Sequence, residues 1–108
     1  MGCRGCKKAY PPVQIVNSTS FNVSGKVEYA SFLCSDDNYN VQRDETWTAT
    51  SRGVCLVTRI TATVKTPSGN ITAEPYTSSG TSFSKFAIIQ VGVNKFQVTR
   101  VVNSKRRV

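Results

Sequence analysis

The chain has 108 residues, 39% of them hydrophobic and 19% charged, which suits one domain that buries a single core without several disulfides or a metal. It contains no histidine, so Ser-His-Asp and Cys-His pairs and histidine metal ligands are excluded, and a non-enzymatic protein without cofactor is expected. The formal charge of +8 is concentrated at the two ends: Arg4, Lys7 and Lys8 precede the first predicted strand and Lys105, Arg106 and Arg107 follow the last, leaving a body of about +2.

A nucleic-acid-binding domain would need a basic stripe on a folded face, and no predicted strand carries one, so nucleic acid is not expected as a partner. Two basic tails suit anionic membrane lipid. No stretch approaches the roughly 18 apolar residues of a membrane-spanning helix, and residues 1–22 lack the ~7 to 15 residue apolar run of a signal peptide. The chain as given reads as cytosolic.

After the first tail, Tyr10-Pro11-Pro12 forms a stiff extended spacer, because proline fixes φ and restricts the residue before it. Val13, Ile15 and Val16 make a short strand that ends in the turn-forming cluster Asn17-Ser18-Thr19-Ser20. A longer strand follows, with Val23, Val27, Tyr29 and Leu33 on one face, Ser24, Lys26 and Glu28 on the other, and Gly25 as a bulge or close-approach site. Its outer face turns apolar at Ala30, Phe32 and Cys34, matched by Cys55 and Val57. The segment from Ser35 to Asn40, running on to Trp47, is expected to cover that patch as a lid, with Tyr39 and Trp47 supplying apolar area.

Thr46 to Thr50 is another short strand, and Ser51-Arg52-Gly53 turns the chain into its longest period-two stretch, residues 54–64. There Val54, Leu56, Ile60, Ala62 and Val64 alternate with Cys55, Arg59, Thr61 and Thr63, which predicts a central strand. Thr66 to Asn70 is a tight turn into an edge strand, Ile71 to Tyr76, that Pro75 marks by its missing donor. Thr77 to Ser82 reads as a flexible loop. Phe83–Val91 and Lys95–Val102 close the chain as a hairpin around Gly92-Val93-Asn94. The expected architecture is all-β, an antiparallel β-sandwich or flattened barrel of about eight strands over residues 13–103, between a basic tail at 1–12 and another at 104–108.

Gly2 behind an initiator Met, followed by Cys3, is the arrangement that N-myristoylation and palmitoylation require, and Cys6 offers a second thiol. The run Met1-Gly2-Cys3-Arg4-Gly5-Cys6-Lys7 resembles the acylated N-terminus of Src-family tyrosine kinases. The resemblance covers eight residues and implies myristoylation of Gly2 and palmitoylation of Cys3 and Cys6. The common consensus has Ser or Thr at the sixth position, where this chain has Cys6. One acyl chain anchors marginally, and Cys3, Cys6 and the lysines would supply the second signal.

Cys3-x-x-Cys6 also reads as half of a zinc site or a redox pair, but the prolines exclude the helix a redox pair opens, and Cys34 and Cys55 are too distant for a ribbon or finger. Cys34 and Cys55 are candidates to pair with each other: a cytosolic protein would keep them as thiols, and export would make a disulfide and open the sequons at Asn17, Asn22 and Asn70 to glycosylation. Asp36, Asp37, Asp44 and Glu45 gather near one loop and form either a calcium site or solvated Asx-turns. The opening of the body, Val13-Gln14-Ile15-Val16-Asn17, is similar to that of the small aegerolysin and actinoporin cytolysins, a likeness that carries no residues over.

The expected function is a binding module tethered to the cytoplasmic face of a membrane through Gly2, Cys3 and Cys6, with Arg4, Lys7, Lys8, Lys105, Arg106 and Arg107 on anionic lipid. A carbohydrate or a protein is the expected further ligand of the sandwich. The alternative is a secreted lectin-like or membrane-lytic sandwich with a Cys34–Cys55 disulfide.

Overall fold

A computed structural model describes residues 9–102. Nine strands build it: β1 (Gln14–Asn17), β2 (Asn22–Tyr29), β3 (Asp37–Val41), β4 (Thr46–Thr48), β5 (Val57–Thr66), β6 (Gly69–Thr72), β7 (Tyr76–Thr81), β8 (Lys85–Gly92) and β9 (Lys95–Arg100). They form a β-sandwich. One sheet runs β4-β1-β8-β9; the other runs β3-β2-β5-β6, with β7 also on β5. The sheets do not close into a barrel.

Period two explains the layers. Val23, Val27 and Tyr29 of β2, Ile60, Ala62 and Val64 of β5, and Tyr39 and Val41 of β3 point inward from one sheet. Val13 and Ile15, Phe86 and Ile88, and Phe96 and Val98 meet them from the other. Aromatic pairs add to the core, Phe21 on Phe96 at 6.0 Å and Tyr76 on Phe86 at 4.9 Å between ring centroids.

Several local readings are corrected. The segment expected as a lid is strand β3, paired antiparallel to β2 from Val23↔Val41 to Val27↔Asp37, and Tyr39 is a core residue stacked on Trp47. Thr77–Thr81 is strand rather than loop: β6 and β7 together run along β5, interrupted at Ala73-Glu74-Pro75. There Glu74 leaves β5 and bonds the other sheet, its N–H donating to Phe96 O and its carbonyl accepting from Val98 N. Pro75 thus sits where the strand changes partners, a position that needs no ladder donor.

Val57 is also moved. The β5 register slips between Val57 and Arg59, so Val57 turns into the core, fully buried, instead of staying on the outer face. Val54 and Leu56 precede the strand, and Val54 is exposed. One pairing departs from the antiparallel rule: β1 and β8 are parallel, from Gln14↔Lys85 to Asn17↔Ile88. Their connection passes through the opposite sheet, long enough for a parallel crossover.

Gly25 is a close-approach site. Tyr39 reaches over it from β3 to β5, its hydroxyl donating to Thr61 O at 2.6 Å. Burial raises the Tyr39 hydroxyl pKa above its ordinary value, and burial together with the bond from its hydroxyl to Asp37 (2.6 Å) raises that of Tyr29. The sign follows from linkage: an unfolded phenol releases its proton near pH ~10 and the folded ones later, so the folded state holds more protons there. Stability is therefore complete below pH ~10 and lost as pH rises from there. Thermal unfolding should give a flat melting temperature up to that pH and a fall beyond it. The fall should be shallower in Tyr39→Phe; an identical alkaline slope in that variant would refute the assignment.

Candidate functional site

The strands run between two ends of the sandwich with different chemistry. Both ends of the described chain lie at one of them. Tyr10 N–H donates to Gly53 O ahead of β1, and Val101 N–H donates to Lys85 O at the start of β8. The strands that carry the two termini, β1 and β9, flank β8, so roughly 10 Å separates their axes.

That end also collects exposed apolar side chains. Of nine large ones exposed on the described surface, Phe32, Leu33, Val54, Phe83, Val101 and Val102 are there. Phe32 and Leu33 were expected on two faces of a strand; instead β2 ends at Tyr29, and they occupy the tip of the Ser31–Cys34 turn, 95% and 80% exposed. The turn is fixed at its base. Cys34 N–H donates to Ser31 O at 2.9 Å, Leu33 N–H to Ser31 Oγ at 3.0 Å, and Ala30 N–H to Leu56 O at 2.8 Å.

Cys34 and Cys55 are joined by a disulfide, with 6.2 Å between their Cα atoms, that ties the turn to the segment entering β5. Neither cysteine is available as a zinc ligand. Beside it, buried Arg52 latches two loops: Nη1 donates to Phe83 O at 2.9 Å and Nη2 to Thr81 O at 3.4 Å, while its Nε is buried without a partner. Burial lowers its pKa, opposed by Tyr29 and by Tyr10, over whose ring the guanidinium sits at 5.2 Å. Arg100 stacks over Phe83 at 3.8 Å, so a cation covers part of an exposed ring.

The opposite end is polar. An open cleft of about 340 Å³ there is lined by Asn22, Asn40, Gln42, Glu45 and Lys65 with the edges of Val23 and Val41. Strand β3 separates the four carboxylates that looked adjacent in sequence: Asp36 precedes it and Asp37 opens it, and Asp44 and Glu45 follow it at the cleft end. Among the described residues no group of three or more Asp, Glu or Cys is arranged to hold a metal ion.

Asn17 is the residue that sequence reasoning undervalued. It is fully buried at the end of β1. Its Nδ2 donates to Phe21 O (2.7 Å) and Val41 O (3.2 Å), and its Oδ1 accepts from Thr19 N–H (3.0 Å) and Thr19 Oγ1 (2.7 Å). The Asn-x-Thr spacing of an Asx-turn was the available signal. With Nδ2 enclosed, Asn17 is no glycosylation acceptor in the folded protein, whereas Asn22 and Asn70 are exposed. The acylation residues Gly2, Cys3 and Cys6, and the basic residues Arg4, Lys7, Lys8, Lys105, Arg106 and Arg107, lie outside the described residues.

No protein-family model and no curated protein matches the chain. Among solved structures, a protein from Eubacterium rectale determined by NMR is similar, with 16% identity over 97% of this chain and 100% of that one and a TM-score of 0.61. At that identity the likeness is one of fold.

Proposed function

We propose that this protein is a non-enzymatic module that binds an anionic membrane surface through the end of the sandwich from which both termini leave, tethered there by acylation of Gly2, Cys3 and Cys6 on the cytoplasmic side. The observation that supports it is the shared exit. Lys8 is bonded to Ala9, and Lys105 follows Val102 by three residues, within ~11 Å of chain, so both basic segments start from one end of the sandwich. Two basic segments that leave from one end suit a flat anionic partner.

Unacylated protein should co-sediment with phosphatidylserine-containing vesicles at low ionic strength and be released as salt shortens the Debye length to ~8 Å. Deleting residues 104–108 removes Lys105, Arg106 and Arg107, each worth ~1 kcal/mol near such a surface, so binding should weaken on the order of 100-fold. The melting temperature should stay at the wild-type value. Protein that ignores these vesicles at low salt refutes the reading. In cells, Gly2→Ala should become soluble and lose myristate labelling.

A second reading rests on the Cys34–Cys55 bond, which favours an oxidising compartment and hence an exported lectin-like or membrane-lytic sandwich. Its ligand end would be the amide-rich cleft, whose Asn22, Asn40 and Gln42 offer paired donors and acceptors to sugar hydroxyls. Intact mass of protein from its native source, with and without reductant, separates the two: an acyl adduct with free thiols supports the tether, and a disulfide with a glycan at Asn22 or Asn70 supports export.

A further inference from the structure

We propose that the Ser31–Cys34 turn is a lipid-inserting prong, with Phe32 and Leu33 entering the headgroup and acyl boundary of an anionic bilayer while the basic segments hold the headgroups. The proposal deepens the membrane reading and rests on it. A surface turn is ordinarily polar, and two consecutive large apolar residues at its tip, 95% and 80% exposed, cost solubility unless something covers them.

The prong is prebuilt. Ser31 accepts from both Cys34 N–H and Leu33 N–H, and Ala30 N–H donates to Leu56 O, so hydrogen bonds hold the base of the tip on both sides. Preorganisation matters because insertion then orders nothing further in the protein.

The occupant follows from what surrounds the tip. Val54 and Phe83 add partly exposed apolar area at the same end, and the Arg100 guanidinium lies over the Phe83 ring, 3.8 Å from its centroid. Among the described residues at this end, Arg52, Lys85 and Arg100 stand against Asp36 and Asp37, and Asp37 accepts the Tyr29 hydroxyl. The excess of positive charge comes from the eight residues before Ala9 and the six after Val102, which carry six Lys and Arg and no acid and begin at this end. An apolar tip at the end from which both basic segments leave is complementary to an anionic bilayer.

The test uses the full unacylated chain and phosphatidylcholine vesicles containing phosphatidylserine at low ionic strength. Phe32→Trp should blue-shift on binding and be quenched by lipids brominated high on the acyl chain, above the signal of wild type, whose sole tryptophan is Trp47. Phe32→Ser with Leu33→Ser should keep the wild-type melting temperature and bind on the order of 100-fold more weakly. Val93→Ser, at the β8–β9 tip of the opposite end and equally open to solvent, should change nothing. If wild type binds with salt sensitivity but Phe32→Trp neither shifts nor quenches and the serine pair binds like wild type, the prong is wrong and the basic segments alone carry the membrane reading. If wild type does not bind at all, both fall. A wild-type dimer that the serine pair converts to monomer in sedimentation would make the tip a self-association surface and overturn the proposal.

Discussion

Gly25→Ala is expected to cost about 3 to 5 kcal/mol, enough to lower the melting temperature by roughly 15 °C in a domain of this size. A Cβ on Gly25 would meet the backbone carbonyl oxygen of Thr61 within bonding range and the Tyr39 hydroxyl at 2.7 Å. Neither neighbour is free to move. Thr61 lies in β5, an interior strand of its sheet, and the Tyr39 ring is held between Trp47 and the Thr61 carbonyl that its hydroxyl bonds. Relief requires β2 to move off β5 or Tyr39 to leave the core, which strips a buried hydroxyl of its acceptor as well. Gly92→Ala supplies the comparison, because its Cβ would meet only the flexible Lys95 side chain at ordinary contact, 3.5 Å and beyond. That variant should stay within about 0.5 kcal/mol of wild type. Equal melting temperatures for the two alanine variants would mean that Tyr39 does not cross β2 at Gly25.

Asn17→Ala should be the next most damaging single change, at about 3 to 4 kcal/mol measured by denaturant unfolding. The side chain makes four hydrogen bonds inside the protein, and its loss removes the acceptor of the buried Thr19 N–H together with one donor each to Phe21 O and Val41 O. The four bonds join the end of β1 to the turn behind it and to β3 of the opposite sheet, so the penalty is spread over three elements. Asn17→Asp separates lost packing from lost donors. It keeps the acceptor for Thr19 but points a carboxylate at two carbonyl oxygens, and protonation restores one donor. Its folded pKa should therefore lie above that of an unfolded aspartate, ~3.9, so its deficit relative to wild type should shrink as pH falls through the folded value. A deficit independent of pH would show that the donors to Phe21 and Val41 carry none of the stability.

The backbone classes were readable because they are encoded by neighbours. Alternation at Val23, Val27 and Tyr29 and at Ile60, Ala62 and Val64 marks half-buried strands wherever those strands end up, and Pro67-Ser68-Gly69 and Val93-Asn94 mark reversals by their own φ preferences, with Gly69 and Asn94 both at positive φ. Gly25 stood out for the same reason, since a glycine inside an alternating run signals close approach. The charge at both ends of the chain is likewise a property of the sequence alone.

What required the tertiary structure is everything decided by residues far apart in the chain. The β5 bulge that turns Val57 inward is a matter of register against β2 and β7, and the period within β5 carries no record of it. Tyr39 looked like part of a polar lid because Asn38 and Asn40 flank it; pairing with β2 makes that same alternation a core strand with two solvated edges of sequence. Phe32 and Leu33 read as strand residues, but the chain leaves β2 at Tyr29, and Asn17 reads as a turn residue and sequon, but its side chain is enclosed by bonds to Phe21 and Val41. Above all, the parallel pairing of β1 with β8 and the antiparallel return of β9 bring the first and last described strands to one end of the sandwich. Local sequence sets the face a residue can show, and long-range pairing, which depends on the burial of both sheets at once, sets where that face points and which ends of the chain meet.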